Sequence, residues 1–200
     1  LHVANALAAA TTATALGVAA PVVVAGLGAA RPVTGRFEVL PGAGPFTVVV
    51  DYAHTPDGLR SALDSARRLA GAHRVLCVFG CGGERDHDKR PAMGAVAATL
   101  ADVAVLTSDN PRHEDPAAII ADVLVGVADR SRVVVRPERA EAIDLAVDMA
   151  GPGDVVLVAG KGHETVIDYG DRRIPFDDAA VAGAALERRF GPSTSPGAPR

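Results

Sequence analysis

The sequence predicts an α/β fold, a Rossmann-like and mostly parallel sheet with helices on both faces. Three observations predict it. Short runs of apolar, largely β-branched residues recur between Thr47 and Ala159, each too short to be a helix. Stretches of helical length separate them. The runs are continuous rather than alternating in polarity, so both faces of each strand are covered, as in a parallel sheet between helical layers. The 48% hydrophobic and 22% charged composition suits an ordinary globular chain able to bury such a core.

Taken in order, Val3–Leu16 reads as an alanine-rich helix ended by Gly17. Pro21–Leu27 reads as a second helix, with proline in its first turn and Gly28 after it. No charged residue occurs from Leu1 to Ala30, a feature shared by signal peptides and membrane spans. There is no basic start, the run is mostly Ala and Thr, and Gly17 and Pro21 interrupt it, which favours a pair of buried helices. Arg31–Arg36 reads as a linker, and the part before it lacks a core of its own. Strands follow at Thr47–Val50, Val75–Phe79, Val103–Leu106, Val133–Val135 and Val155–Ala159. Helices are expected at Pro56–Leu69, Pro91–Leu100, Ala117–Val127 and Arg139–Ala150. Val166–Asp168 and Arg173–Pro175 suit a hairpin around Gly170-Asp171, and Asp177–Phe190 a closing helix. The tail 191–200, rich in Pro, Ser and Gly, is expected to be disordered.

A net charge of −4 with interspersed signs gives no case for nucleic acid or for an anionic membrane. Aromatic residues at 4% and the lack of Trp leave no stacking platform. Cys77 and Cys81 have no second pair, so they form neither a zinc ribbon nor a disulfide framework. Two lone thiols suit a reducing, cytoplasmic setting.

In a parallel sheet the carboxyl ends of the strands share one side. The loops Asp51–Pro56, Gly80–Arg90, Thr107–Pro116 and Gly160–Glu164 therefore converge on one rim, where open α/β sheets bind ligands. Asp109, Asn110 and Arg112 supply an anion, an amide and a cationic fork, which together can read a ligand bearing carboxylate and ammonium. The competing reading is a solvated turn before a helix capped by Asp115-Pro116. In Asp51–Pro56, Asp51 and His54 can meet a nucleotide or hold a metal-bound water, or simply cap a turn and satisfy backbone. Arg85 and Arg90 can each grip an oxyanion, or pair locally on a surface loop. That loop is not a dinucleotide fingerprint, because Arg85 stands where the third Gly belongs. Gly160-Lys161-Gly162-His163-Glu164 is not a P-loop: Val155 occupies the leading Gly position, and Gly162 replaces Ser or Thr. Glu164 can pair with an ammonium and Gly160 can offer its backbone.

The motifs DYAHTP, FGCGGERDxDKRPxM, TSDNPRxEDP and AGKGHE, in this order and spacing, resemble the Mur ligase family, and within it the branch that adds diaminopimelate. The resemblance extends nearly to Phe190. It implies three domains in the whole protein. Leu1–Val33 is similar to the helical end of the central ATP-binding domain, Thr34–Phe190 to the amino-acid-binding third domain, and 191–200 is a tail. It implies ATP-dependent amide ligation of meso-2,6-diaminopimelate to UDP-MurNAc-L-Ala-D-Glu in peptidoglycan synthesis, with ATP and Mg2+ as co-reactants and the preceding domains as partners. It implies diaminopimelate contacts from Arg85, Asp109, Asn110, Pro111, Arg112, Gly160 and Glu164, and nucleotide contacts from Asn5, Arg36, Asp51 and His54. It assigns no catalytic residue or metal ligand to this chain. Lysine-adding relatives lack the Arg found here at 112. The P-loop, the Mg2+ carboxylates, the modified lysine and the UDP-sugar domain of the family are absent from this sequence, and His2 stands where relatives carry Asn, so ligation by the 200 residues alone is not expected. Folylpolyglutamate and cyanophycin synthetases, and an amino-acid-binding module without catalysis, are the alternatives.

Overall fold

The structure, a computed structural model, describes residues 2–42 and 44–191. Of the tail expected to be disordered, all but Gly191 lies outside the described residues. The chain forms two compact units, Leu1–Val33 and Thr34–Arg200.

The first unit is a pair of helices, α1 (His2–Ala15) and α2 (Ala20–Gly28), which touch each other. The expectation that they are buried fails. Leu7 is 62% exposed, Leu16 80% and Val24 70%, and no residue of α2 is buried. Val22 and Leu27 of α2 are exposed as well, so the two helices packed on each other leave large apolar side chains uncovered. No helix among the described residues is long and apolar enough to cross a membrane.

The second unit runs β1 (Glu38–Val39), β2 (Thr47–Asp51), α3 (Pro56–Ala70), β3 (Val75–Phe79), α4 (Lys89–Leu100), β4 (Val103–Leu106), α5 (Pro116–Val125), β5 (Val133–Val135), α6 (Arg139–Met149), β6 (Val155–Ala159), β7 (Val166–Asp168), β8 (Arg173–Pro175) and α7 (Asp178–Phe190). The main sheet has the order β1-β2-β6-β3-β4-β5, parallel except for the edge strand β1; β7 and β8 form a separate hairpin. Three details differ from the sequence reading. The two-residue β1 carries no pattern of its own and is recruited by pairing Glu38 with Val50 and Val39 with Val49. Helix α4 starts two residues before Pro91, within the first turn, where a missing N–H leaves no bond unmade. Helix α5 stops at Val125, with Gly126 as its C-cap.

Side-chain alternation in the strands divides the core between the two faces. Val49, Cys77, Phe79 and Leu157 pack with α3, α4 and α5. Val48, Val50, Leu76, Val78, Val156 and Val158 pack with α6 and α7. Each such side chain contributes about 1.5–3 kcal/mol of apolar burial. Helix α3 shows the logic locally: Leu59, Ala62, Leu63, Ala66 and Ala70 recur at three- and four-residue steps and are buried. Thr55 caps it by accepting from Gly58 N at 3.1 Å, and Pro56 opens it.

Two carboxylates pin the amino ends of the strands, away from the ligand rim. Asp102 accepts from Val75 N at 2.7 Å and pairs with Arg67. Asp154 accepts from Arg74 N at 3.0 Å and pairs with its guanidinium. Burial alone would raise both carboxyls, but these donors outweigh it and hold both below the usual carboxylate range.

Candidate functional site

The four loops that leave β2, β3, β4 and β6 enclose a cleft of about 400 Å3 at the carboxyl end of the sheet. The first loop lines it with Tyr52, His54 and Thr55, the second with Gly82, Arg85, Asp86 and Lys89. The third supplies Asp109, Asn110 and Arg112, and the fourth Gly160 and Glu164. The second and third loops approach most closely at Gly83, where a Cβ would collide with the Pro111 carbonyl oxygen.

One end of the cleft is a network of acids and an amide. Asn110 Nδ2 donates to Glu164 Oε2 at 2.9 Å, and Asn110 Oδ1 accepts from Asp168 N at 3.0 Å and from Lys161 Nζ at 2.8 Å. Lys161 is fully buried. Its Nζ lies 3.3 Å from both Glu164 Oε2 and Asp109 Oδ1. The Asp109 contact is an ion pair that is not aligned as a hydrogen bond, so Asp109 Oδ1 has no hydrogen-bond partner among the described residues. Beneath them Arg139, with its partner Asp178, is wholly buried. Its guanidinium binds Asp178 at 2.7 Å through two nitrogens and also donates to Ser108 O at 3.3 Å and Ala159 O at 3.0 Å. One cation therefore grips the residues just before Asp109 and just before Gly160. Tyr52 flanks this end; burial, then the Glu164 carboxylate beside it, raises its phenol above the ordinary value.

Cations line other parts of the cleft. Arg112 has a left-handed backbone, φ 53°, which is uncommon for a residue with a side chain and is held by Arg112 N donating to Asp168 O at 2.9 Å. Its guanidinium donates to Gly83 O. Lys89 Nζ donates to His54 O at 3.0 Å. Arg85 is exposed, and its guanidinium takes part in no hydrogen bond or ion pair among the described residues. Arg90, read as either an oxyanion grip or a local pair, makes local pairs. It is buried and bound to Asp122 at 2.9 Å, Glu114 at 2.9 Å and Gly82 O at 3.2 Å, so its charge ties α4 to α5 and to the loops after β3 and β4.

The other expected residues fall in several places. Pro111 is buried behind the cleft rather than lining it. Asp51 is buried, and its Oδ2 accepts from Phe37 N at 2.7 Å, tying β2 to the preceding turn. His54 lines the cleft with Nδ1 2.8 Å from Tyr52 O. Arg36 stacks over the Tyr52 ring at 4.6 Å. Asn5 is exposed on α1, in the other unit. Sequence reasoning missed Tyr52, Lys89 and Lys161 as parts of the site. A lysine one glycine beyond a wholly apolar strand was the available signal for Lys161.

No group of three His, Cys, Asp or Glu among the described residues could hold a metal ion. Burial pushes the thiols of Cys77 and Cys81 up to about 12, which removes them as nucleophiles.

Residues 35–162 match the family described as Mur ligase, glutamate ligase domain. The chain belongs to the Mur ligase family. Among its relatives, UDP-N-acetylmuramoyl-L-alanyl-D-glutamate–2,6-diaminopimelate ligase of Alkalilimnicola ehrlichii is 54% identical over 191 residues, covering 95% of this chain and 38% of the relative. A solved structure of a ligase of that same name superposes with a TM-score of 0.72 at 38% identity, over 94% of this chain and 38% of the other. A folylpolyglutamate synthase of Thermotoga maritima shares the fold, with a TM-score of 0.53 at 23% identity over 75% of this chain and 33% of the other. This Mur ligase chain thus spans 38% of the curated relative's length.

Proposed function

We propose that this chain is the amino-acid-binding part of an ATP-dependent, cytoplasmic ligase that joins meso-2,6-diaminopimelate to UDP-MurNAc-L-Ala-D-Glu in peptidoglycan synthesis. The observation that carries the reading is the divided cleft: Asp109, Asn110 and Glu164 at one end, Arg112, Arg85 and Lys89 elsewhere in it. Diaminopimelate carries a carboxylate and an ammonium at each end, whereas lysine has only an ammonium at its far end. A guanidinium pairs with the extra carboxylate and would stand unpaired beside a lysine ammonium. The high identity to relatives named as diaminopimelate ligases supports the same choice.

In the proposed reaction the amine of diaminopimelate attacks an acyl phosphate of the D-glutamyl side chain; the new C–N bond forms, phosphate leaves and the amine loses a proton. This chain's share is positioning, by fixing the zwitterion so that its amine meets the carbonyl. Asn5, Arg36, Asp51 and His54 are its proposed contributions toward the nucleotide. The described residues do not by themselves fit ATP phosphates and Mg2+, since Lys161 is committed to buried ion pairs and no metal-binding cluster is present among them.

The test is calorimetric titration of the 200-residue chain with meso-diaminopimelate and, separately, with L-lysine. Binding of the first and not the second is expected. Arg112→Ala should weaken diaminopimelate binding by about 10- to 100-fold, the worth of a charge-assisted contact, with an unchanged circular dichroism spectrum. Unchanged affinity in a folded variant would overturn the assignment, and preference for glutamate would favour a folylpolyglutamate-type ligand.

A further inference from the structure

Lys161 is fully buried, yet the divided-cleft reading gives it no role. Its Nζ touches three members of the acidic end at once: Asn110 Oδ1 at 2.8 Å, and Glu164 Oε2 and Asp109 Oδ1 each at 3.3 Å. A side-chain amide can be flipped at little cost unless its neighbours tell oxygen from nitrogen. An ammonium can only donate. By taking Asn110 Oδ1, and with Asp168 N as the second donor at 3.0 Å, it forces Nδ2 toward Glu164 Oε2, 2.9 Å away. The same ammonium offsets one of the two carboxylates. Arg139 and Asp178 cancel each other beneath, so two anions and one cation leave one net negative charge at this end.

We infer that Lys161 is a positioning residue: it fixes the orientation of the Asn110 amide and the Glu164 carboxylate and trims this end of the cleft to the single negative charge that complements one ammonium group. The inference rests on the proposed reading of the cleft as an amino-acid site. Without Lys161, Asp109 and Glu164 would face each other uncompensated and Asn110 would be free to rotate. A ligand's ammonium would meet a disordered and overcharged pair instead of a prepared one.

The experiment replaces Lys161 by Met, which keeps the length of the side chain and removes its charge, in the 200-residue chain. Two readouts are taken. The first needs no ligand: the side-chain NH2 signals of Asn110 in a nitrogen–proton correlation spectrum. They should be slow to exchange in the parent and move toward free-amide positions with faster exchange in K161M, while backbone signals of α3, α4 and the distal strand ends stay in place. The second is calorimetry with meso-diaminopimelate and with 2-aminopimelate, which lacks one ammonium. Affinity for diaminopimelate should fall by about 10- to 100-fold, and its advantage over 2-aminopimelate should shrink. A merely structural defect would lower both affinities alike. Unchanged Asn110 signals, or equal loss for both ligands, overturns the inference.

If K161M does not fold, K161M/D109N is compared with D109N alone, because this pair of substitutions removes one buried charge of each sign. Failure of both K161M and the double variant to fold would make Lys161 a scaffold residue and overturn the inference as well. If the parent binds neither ligand, the proposed function fails, and the Asn110 signals still decide what Lys161 does.

Discussion

Removal of the Asp178 carboxylate is the sharpest test of how the rim is held. In Asp178→Ala, Arg139 loses both of its 2.7 Å charge-assisted bonds and keeps only the carbonyls of Ser108 and Ala159 at 3.3 and 3.0 Å. Both side chains of the pair are 0% exposed, so water cannot replace the missing anion without opening the core. Burial alone would pull the Arg139 guanidinium toward its neutral form; Asp178 outweighs this and keeps its pKa above the ordinary value. Leaving one member of a buried pair uncompensated costs about 3–5 kcal/mol. A chain of this size moves about 2–4 °C in Tm per kcal/mol, so a fall of roughly 6–20 °C is expected. The assay is thermal unfolding followed by circular dichroism at pH 7, with refolding checked on cooling. Asp178→Asn keeps one acceptor and should fall less. A change under about 2 °C for Asp178→Ala would refute the claim that this pair supports the two loops.

Gly83→Ala should push the loops of β3 and β4 apart at Pro111, costing about 1–3 kcal/mol and weakening meso-diaminopimelate binding; calorimetry on the folded variant checks it. His113 is raised above 6.5 by its hydrogen bond to Glu84 and then by that carboxylate's charge, with Asp171 adding to it. A raised histidine contributes stability that is fully present below its unfolded pKa and is lost as pH rises through the higher folded one. His113→Gln should therefore flatten the pH dependence of Tm between about pH 6 and 8, and proton NMR should give His113 a midpoint above the unperturbed value. The depressed Asp154 acts with the opposite sign: its contribution is present above the unfolded carboxylate pKa and is lost as pH falls through the folded one. Asp154→Asn should flatten the acid limb of stability below about pH 4. Cys77 and Cys81 should react with a disulfide reagent at pH 8 only at the rate of unfolding, as stopped-flow absorbance would report.

The parallel strands were legible because the central ones, β3 and β6, are buried at every residue, which leaves an unbroken apolar run in place of alternation. Once the sheet is parallel, topology alone brings the loops of β2, β3, β4 and β6 together, so the cleft's outline was legible too. Charged residues were harder to place, since sequence does not say which charges turn inward. Arg85 and Arg90 stand five residues apart, yet one is exposed on the loop and the other, in the first turn of α4, is buried against Glu114 and Asp122. Lys161 looked like part of a failed phosphate loop and is instead a buried hub. The helices of the first unit read as buried because they carry no charge and do carry Val and Leu, yet two helices packed on each other leave Leu7, Val22, Val24 and Leu27 exposed.

The position of β6 in the sheet sets an order of assembly. It is the last main-sheet strand in the chain and sits between β2 and β3, which are made roughly a hundred residues earlier. During synthesis β2 and β3 have no direct partnership to form, and each must wait with an unpaired edge until Val155–Ala159 arrives. Such distant pairings are slow, and waiting edges are prone to wrong partners. The loop Gly160–Glu164, carried on the end of that strand, is thus delivered to the cleft after the other three loops. A chain stalled before it would hold most of its hydrophobic sequence but no functional rim.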